Sequence, residues 1–215
     1  MREIERITDY IRSLEPDGDP ILEEIQQKAL EHFVPIIRKE TGALLKTLVA
    51  GVRPKAILEI GTAVGYSALL MASVMEPGCH ITTIEKYEKR ILDAKENFQK
   101  AGCLNQITLL EGDAGEWLGK LPEGGFDFIF MDGAKGQYIH WLPDVLKLLA
   151  PGGMLVSDNV LQDGDIIQSR FAVERRNRTI HSRMREYLFV LKHTKGLETS
   201  VVPIGDGVTI SVKRR

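Results

Sequence analysis

The stretch EIGTAVG at residues 59–65 decides the fold, because it joins an apolar run to a turn containing two glycines. The apolar run covers residues 56–60, and a helical pattern begins near Tyr66. Glycine lets the backbone approach a ligand closely, and the first turn of a helix presents free N–H groups. We therefore expect a strand, a tight turn and a helix that together form one wall of a ligand site.

Outward from this turn, short apolar runs alternate with amphipathic helical patterns. Alternation of this kind is typical of a parallel sheet with helices on both faces. The apolar runs cover residues 56–60, 80–84, 107–110, 126–131 and 154–157, and the helical patterns lie near residues 66–76, 87–101, 114–119 and 138–149.

The two ends of the chain differ from this alternation. Residues 1–53 read as helices, and the third of them is expected to run from Thr41, as N-cap, to Gly51, as C-cap. A long polar helix is expected over about 165–192. Two β-runs, 197–204 and 208–212, then flank Gly205-Asp206-Gly207 and predict a hairpin.

Together these patterns predict an α/β, Rossmann-like fold. We expect a seven-stranded, mostly parallel sheet that ends in an antiparallel C-terminal hairpin, an outline that resembles the class I methyltransferase fold. Because no interdomain linker is visible, residues 1–215 are predicted to form one domain. Its parts are a helical cap (1–53) and a catalytic core (54–215).

Bulk composition excludes several classes of protein. The net charge of the 215 residues is -2, so the whole chain has no strong bias toward nucleic acid or membrane. Cys79 and Cys103 do not form a CxxC pair, which argues against a disulfide framework or a structural zinc site. The first residues lack the apolar segment of a secretory signal, and no run is long enough to span a bilayer. We expect a cytoplasmic protein with no membrane partner.

The spacing of the glycines separates two kinds of cofactor. Gly61 and Gly65 form Gly-x-x-x-Gly, whereas a dinucleotide-binding turn needs Gly-x-Gly-x-x-Gly to seat a pyrophosphate. S-adenosylmethionine (AdoMet) has no phosphate, so the neighbouring Glu59 would not be repelled by it. An NAD-dependent dehydrogenase is therefore disfavoured.

Acidic residues follow the next two apolar runs. Glu85 lies 24 residues after Gly61, where an acid can accept hydrogen bonds from both ribose hydroxyls of AdoMet. Asp113-Ala114 is placed to contact the adenine. Each signal alone is weak, because a strand-to-helix turn or a solvated strand end explains it equally well. Three signals at consecutive strand ends favour AdoMet binding, since open α/β sheets bind ligands there.

A further polar group follows the fourth and fifth apolar runs. If these strands are neighbours, Asp132, Asp158 and Asn159 converge beside the methyl donor. Their hard oxygen ligands suit Mg²⁺, although Mn²⁺ would also fit. The alternative is that the two aspartates only cap loops or helices.

Lys135 lies three residues after Asp132. A lysine that is partly desolvated near a cation has a lowered pKa and can act as a general base. It would accept the proton of a substrate hydroxyl whose oxygen then takes the methyl group, with alignment as the main contribution of the protein. The alternative is a solvated loop lysine.

The sequences EIGTAVGYS (59–67), MDGAKGQY (131–138) and SDN (157–159) resemble the divalent-metal-dependent O-methyltransferases, which include catechol and caffeoyl-CoA O-methyltransferases. The resemblance implies that Asp132, Asp158 and Asn159 are metal ligands, that Lys135 is the base, and that the protein is a homodimer. The predicted AdoMet contacts are Glu59, Gly61, Thr62, Gly65, Tyr66, Ser67, Glu85, Asp113, Ala114 and Asp132.

More narrowly, the chain resembles a bacterial branch that methylates 5-hydroxyuridine in the tRNA anticodon loop to 5-methoxyuridine. O5 and O4 of that base are vicinal oxygens, as in a catechol, so one chelating site fits both. The alternative is an O-methyltransferase for small catechols, which would need an aromatic wall for which Tyr138 and Trp141 are the candidates. A binding module without chemistry is disfavoured by the intact acidic set.

Residues 170–195 form a basic segment with eight basic and two acidic residues, so its net charge is +6. Arginine suits phosphate because of its forked geometry, and such a patch can supply RNA affinity. A solvated helix face or a dimer contact would explain the charge equally, with partial neutralisation by Arg170–Glu174 and Arg183–Glu186 pairs. The candidate RNA contacts are Arg170, Arg175, Arg176, Arg178, Arg183 and Arg185.

Overall fold

The computed structural model describes residues 2–215, with side chains from Glu5 onward. Met1, the first residue of the predicted helical cap, lies outside the described residues. The helices are α1 (Arg2–Ser13), α2 (Pro20–Glu31), α3 (Lys39–Val52), α4 (Tyr66–Ala72), α5 (Glu88–Lys100), α6 (Ala114–Leu118), α7 (Tyr138–Leu148) and α8 (Arg178–His193). The strands are β1 (Ala56–Ile60), β2 (His80–Glu85), β3 (Ile107–Glu111), β4 (Phe126–Met131), β5 (Leu149–Ser157), β6 (Leu197–Val202) and β7 (Val208–Lys213).

The strands form one seven-stranded sheet in the order β3-β2-β1-β4-β5-β7-β6. Strands β1 to β5 pair in parallel, whereas β7 pairs antiparallel with both β5 and β6. The predicted seven-stranded, mostly parallel sheet with a C-terminal hairpin is confirmed. Because the strand order reverses between β1 and β4, a crevice for a ligand is expected at their carboxyl ends.

The two faces of the sheet bury two separate apolar cores. Adjacent residues of a strand point to opposite faces, so Ile57 packs into one core and Leu58 into the other. Helices α2 to α5 cover the first face, and α6, α7 and α8 cover the second. Both faces of the sheet are therefore shielded from water, which explains the near-continuous apolar sequence of β1 and β4.

The third helix differs from its predicted bounds. It begins at Lys39 after the extended Arg38, so Thr41 lies inside the helix and is not its N-cap. Thr41 is buried, and its hydroxyl packs against the β6–β7 turn at Gly205. Tertiary packing thus overrides its capping preference. Gly51 does not end the helix either, because the left-handed residue at the end is Arg53, with φ 51°.

The predicted helix over 165–192 is wrong in its first half. Residues 162–167 and 175–177 form short 3₁₀ turns, and α8 begins only at Arg178. Local bonds to side chains compete with helix formation in this loop. The Ser169 hydroxyl accepts from the Phe171 N–H, and the Arg178 guanidinium donates to the carbonyls of Phe171 and Val173.

Two further boundaries differ from the predicted ones. Helix α4 stops at Ala72, where the Ser73 hydroxyl donates to the Leu70 carbonyl. Strand β5 starts at Leu149, earlier than the predicted 154, and its pairing with β4 is irregular near Phe126. Within residues 2–215 we find no helix with the length and apolar character needed to cross a membrane.

Candidate active site

A cavity of about 760 Å³ opens at the carboxyl ends of the parallel strands, where the strand order reverses. We call it the main cavity. The residues that follow each of the five parallel strands reach its wall, together with part of the segment before α3 and the β6–β7 turn. Its strand-end residues are Gly61, Glu85, Asp113, Asp132 and Asp158.

Gly61 allows the ends of β1 and β4 to approach closely. Its φ is +103°, and a Cβ atom there would lie 2.3 Å from the Asp132 carbonyl oxygen. The Asp132 N–H donates to the Ile60 carbonyl, which fixes the two strand ends together. The second glycine, Gly65, has φ +82°, and its missing side chain leaves room for the ring of Phe98.

Glu59 lies behind the cavity wall and is fully buried. Its carboxylate accepts hydrogen bonds from the hydroxyls of Ser67 (2.6 Å) and Thr83 (2.5 Å). Burial raises the pKa of Glu59 to about 7 against the opposing effect of these two bonds. The side chain therefore ties β1, β2 and α4 together beneath the glycine turn.

Five of the predicted AdoMet contacts do not line the main cavity in this structure. Their direct contact with a cofactor stays a prediction. These residues are Glu59, Thr62, Gly65, Tyr66 and Ser67. The other five predicted contacts, Gly61, Glu85, Asp113, Ala114 and Asp132, line it.

Glu85 is held rigidly at the end of β2. One carboxylate oxygen accepts from the Ala63 N–H, and the other accepts from the N–H groups of Lys86 and Tyr87, all at 2.9 Å. Backbone donors thus fix an acidic group on the cavity wall. The Oε2 oxygen, which accepts only from Ala63, keeps a lone pair for a further donor such as a ribose hydroxyl.

Asp113 forms the N-cap of α6, with its side chain accepting from the Gly115 N–H, and Lys86 Nζ lies 3.2 Å from its other oxygen. The N–H of Gly115, followed by Lys86, lowers the pKa of Asp113. The indole of Trp141 lines the same wall between Gly133 and Gly115, where added Cβ atoms would lie 3.2 and 3.5 Å from it. This corner offers a flat apolar surface beside a carboxylate.

The two aromatic candidates for an acceptor wall are separated by the structure. Trp141 lines the main cavity, but Tyr138 is completely buried beneath it. The Tyr138 hydroxyl donates to the Met131 carbonyl, 3.0 Å away. Tyr138 therefore supports the end of β4 and cannot face a substrate.

Asp132 and Asp158 come together because Met131 and Ser157 are paired in register on β4 and β5. Burial, and then the negative charge of Asp158, raises the pKa of Asp132 well above its ordinary value. Burial also raises the pKa of Asp158 to about 6, although the Asn159 N–H donates to its carboxylate at 2.7 Å. The buried carboxylate of Asp158 and the half-buried carboxylate of Asp132 thus repel each other at one point of the cavity.

Lys135 opens the 3₁₀ turn Lys135–Gln137 and also lines the main cavity. Its charge acts to lower the pKa of both Asp132 and Asp158. Helix α8 supports the turn, since Arg183 donates to the carbonyl of Gly136 at 3.0 Å. The structure therefore brings together Asp132, Lys135, Asp158 and Asn159.

The donor set fits a hard divalent cation. Two repelling carboxylates lie beside an amide, and among the described residues the Asp132 carboxylate has no hydrogen-bond partner. A cation would offset this repulsion. In the part of the chain that the structure describes, no three His, Cys, Asp or Glu side chains are grouped to hold a metal, so the amide of Asn159 is essential to the predicted set.

Among the residues of the cavity wall that sequence reasoning missed is an ion pair, Arg38 with Asp206. The Arg38 guanidinium is ion-paired with Asp206 and with Asp163, 2.7 Å away. Asp206 also accepts from the Asn159 amide nitrogen at 3.1 Å, which leaves the amide oxygen free. The only sequence signal was that Asp206 lies between two glycines in the hairpin turn, and nothing marked Arg38.

The basic segment is less free than its charge predicts. Arg178, Arg183 and Arg185 donate to backbone carbonyls, and Arg176 pairs with Glu174. The expected Arg170–Glu174 and Arg183–Glu186 pairs are not among the ion pairs of the described residues. Arg170 and Arg175 are exposed on the surface.

Comparison with known proteins agrees with this geometry. A family profile described as O-methyltransferase matches residues 12–214. A catechol O-methyltransferase of Niastella koreensis is 32% identical over 168 residues, which are 76% of this chain and 76% of that protein. Caffeoyl-CoA O-methyltransferase 1 of Eucalyptus globulus is 30% identical over 91% of this chain and 81% of its own length.

A solved structure gives the same result at the level of the fold. The O-methyltransferase from Bacillus cereus in complex with SAH superposes with a TM-score of 0.85 at 25% identity, covering 97% of both chains. The matched profile spans nearly the whole chain, including every strand-end residue of the main cavity. The chain belongs to the O-methyltransferase family.

Proposed function

We propose that this protein transfers a methyl group from AdoMet to the 5-hydroxyl of 5-hydroxyuridine in a tRNA anticodon loop, with a divalent cation at Asp132, Asp158 and Asn159. The observation that carries the proposal is the meeting of these three residues with Lys135 on the wall of one cavity. Membership of the O-methyltransferase family supports the reaction type. The identity of the acceptor goes beyond what family membership supports and is our own proposal.

The cofactor end of the main cavity has the chemistry that AdoMet needs. Glu85, held by three backbone N–H groups, can accept a hydrogen bond from a ribose hydroxyl at Oε2. Trp141 offers a flat surface for the adenine beside Asp113. The complex of the Bacillus cereus relative with SAH supports this assignment. Gly61 lies on this wall, where its missing side chain allows the end of β1 to lie against Asp132.

The acceptor end has the chemistry for a pair of vicinal oxygens. Mg²⁺ or Mn²⁺ bound there would act as a Lewis acid that lowers the pKa of an acceptor hydroxyl. Asp132, Asp158 and Asn159 would hold the cation and so fix the two acceptor oxygens. The chelating pair O5 and O4 of 5-hydroxyuracil has the same arrangement as a catechol.

Lys135 is the residue proposed to move the proton. It lines the cavity beside both aspartates. In its neutral amine form, Nζ has the lone pair needed to accept the proton of the acceptor hydroxyl and would become the ammonium. The rest of the contribution is alignment, because a methyl transfer requires the acceptor oxygen in line with the carbon–sulfur bond that breaks.

A small catechol is the second candidate acceptor. It is favoured by the relative from Niastella koreensis, which is named a catechol O-methyltransferase. The basic segment favours RNA, since its net charge of +6 over residues 170–195 would attract a phosphate backbone and would not attract a small neutral acceptor. We also propose a homodimer, on the family resemblance alone, and a cytoplasmic location, because the two cysteines do not form a CxxC pair and suit a reducing compartment.

The test is a methylation assay with labelled AdoMet and Mg²⁺, in which tRNA containing 5-hydroxyuridine and a panel of catechols are offered separately. We expect label in 5-methoxyuridine of the tRNA and a much lower kcat/KM for the catechols. Efficient turnover of catechols with no label in tRNA would transfer the assignment to the small acceptor. Label in neither would contradict both.

A further inference from the structure

A second cavity, of about 350 Å³, lies between α8 and the loop that precedes it. We call it the basic pocket, and its walls are Gln168, Ser169, Arg170, His181, Ser182 and Arg185. It is separate from the main cavity, with which it shares no lining residue. Two of its six residues are arginines, and no aspartate or glutamate lines it. Its local charge is therefore positive.

His181 is the feature that marks this pocket as more than a surface cleft. Its side chain is only 2% exposed, and among the described residues neither ring nitrogen has a hydrogen-bond partner. Burying a polar group without a partner is unfavourable, because the group loses its hydrogen bonds to water and gains none in the fold. Such a group in a native fold needs an explanation, and a ligand that accepts a hydrogen bond from the ring supplies one.

Other donors of the basic pocket are also unused. Arg170 forms no hydrogen bond or ion pair with the described residues. Only one nitrogen of the Arg185 guanidinium donates a hydrogen bond within them, to the Ile166 carbonyl 2.9 Å away. The Ser169 hydroxyl accepts from the Phe171 N–H, so its own proton is free to be donated. The pocket thus combines two guanidinium groups, a hydroxyl and an imidazole, which together match a phosphate.

We propose that the basic pocket binds a phosphate ester, and that this phosphate belongs to the backbone of the RNA substrate. This assignment of the source rests on the proposed function. The pocket would position the RNA and leave recognition of the base to the main cavity.

The connection to the active site supports an RNA backbone as the source. Arg183, on the same helix as His181, donates to the carbonyl of Gly136, the residue after Lys135. On the other side, Asp163 at the start of the loop is paired with Arg38 in the wall of the main cavity. The helix and the loop that line the basic pocket therefore also contact the surroundings of the main cavity, and an extended acceptor could reach both cavities.

Exposed apolar side chains flank the basic pocket. Ile167 is 85% exposed and Phe171 is 82% exposed, on either side of the loop residues 168–170. An exposed aromatic ring beside a phosphate site is typical of single-stranded nucleic-acid binding, because bases stack on it. A nucleotide offers a negative charge that complements the arginines and a flat base that can stack on the Phe171 ring.

The first experiment measures binding of an anticodon stem-loop RNA by fluorescence anisotropy at several salt concentrations. We expect the double variant Arg170→Gln/Arg185→Gln to bind roughly tenfold or more weakly than the wild type and with a smaller salt slope. His181→Gln should keep most of the affinity, and His181→Leu should lose several-fold. Thermal unfolding of each variant checks that it is folded.

The matched control removes two arginines at the opposite end of the sheet. Arg214 and Arg215 follow β7, whose last residue pairs with the start of β6, away from the carboxyl ends of the parallel strands. We expect Arg214→Gln/Arg215→Gln to change the Kd by less than twofold. An equal loss in the control would show that diffuse charge, not the pocket, holds the RNA, and would overturn the proposal.

The second experiment separates this proposal from the proposed function. Inorganic phosphate is titrated while the imidazole resonances of the five histidines are followed by NMR, and the signal lost in His181→Gln identifies His181. We expect a saturable shift of that signal, absent in Arg170→Gln/Arg185→Gln. No shift with phosphate would overturn the pocket even if the tRNA is methylated.

A phosphate-dependent shift in a protein that binds no RNA would instead support the pocket and contradict the tRNA function. The phosphate would then come from a small acceptor, such as a coenzyme A thioester. Titration of coenzyme A in place of inorganic phosphate distinguishes that source. If the acceptor carries coenzyme A, coenzyme A should shift the His181 signal at a lower concentration than inorganic phosphate does.

Discussion

Asp132 and Asp158 show how single positions acquire chemistry from their surroundings. Each follows the last residue of a strand, and the pairing of Met131 with Ser157 brings them to one point. Burial raises the pKa of both carboxyl groups, so the site is poised for a positive ligand. The same two residues on a solvated loop would be ordinary acids.

Asp158→Asn tests this reasoning with little change in shape. We expect methyl transfer to fall by at least about 100-fold, because one anionic ligand of the proposed cation is lost. Binding of Mn²⁺, followed by electron paramagnetic resonance without substrate, should weaken in parallel. Asp144→Asn is the control, since Asp144 is paired with Lys147 on the outer face of α7 and should keep both properties. Full activity in Asp158→Asn would remove the metal assignment.

Glycine positions differ sharply in what they tolerate. Gly61 has φ +103° and no room for a side chain, whereas Gly51 lies inside α3 with nothing within 4 Å of an added Cβ. We expect Gly61→Ala to lower the free energy of unfolding by about 2 kcal/mol or more, from backbone strain and the clash with Asp132. Gly51→Ala should raise it by roughly 0.5–1 kcal/mol. Urea unfolding measures both, and equal effects would contradict the close approach of β1 and β4.

At the scale of elements, the strands were the most predictable part of the chain. The bounds of β1 and β4 match their apolar runs, because a strand buried on both faces must be apolar throughout. The loop before α8 was not predictable, since bonds such as that from Arg178 to the Val173 carbonyl depend on folded geometry. The N-cap at Thr41 failed for the same reason, as tertiary contact decided its place.

Docking of α3 on the sheet gives a prediction at this scale. Leu45 is 1% exposed in the core that α3 shares with β1, whereas Leu92 on α5 is 67% exposed. Leu45→Ala should cost about 2–5 kcal/mol of unfolding free energy, because it leaves a cavity. Leu92→Ala should stay within about 0.5 kcal/mol. A small loss in Leu45→Ala would mean that α3 is loosely attached.

For the molecule as a whole, Glu59 links stability to pH. Its pKa in the fold is about 7, against an ordinary value of 4.5, so the folded state favours the protonated acid. The stability that this preference contributes is complete below pH 4.5 and is lost as the pH rises through about 7. Above that pH the ionised group is buried at a net cost.

Glu59→Gln should therefore flatten the pH dependence of unfolding. Between pH 5.5 and 8.5 we expect the wild type to lose on the order of 2 kcal/mol more than the variant. Chemical denaturation at the two pH values measures the difference. Ser67→Ala is a useful companion, because it removes a bond that favours the ionised form and should steepen the same dependence. Identical slopes in wild type and Glu59→Gln would contradict the account of Glu59.

The candidate site as a whole was predictable only in part. Asp132, Lys135, Asp158 and Asn159 stand at strand ends, so their convergence follows from the order of the strands. Arg38 and Asp206 come from opposite ends of the chain and meet only through folding. The burial of Tyr138 was equally hidden, because sequence does not say which face of α7 packs inward at its first turn.

We propose that the protein methylates 5-hydroxyuridine in tRNA. The most direct measurement is the nucleoside profile of tRNA from cells that lack this protein, read by mass spectrometry beside cells complemented with the wild type or with Asp158→Asn. We expect that 5-methoxyuridine disappears, that 5-hydroxyuridine accumulates, and that only the wild type restores the modification. An unchanged level of 5-methoxyuridine in the deleted cells would contradict it.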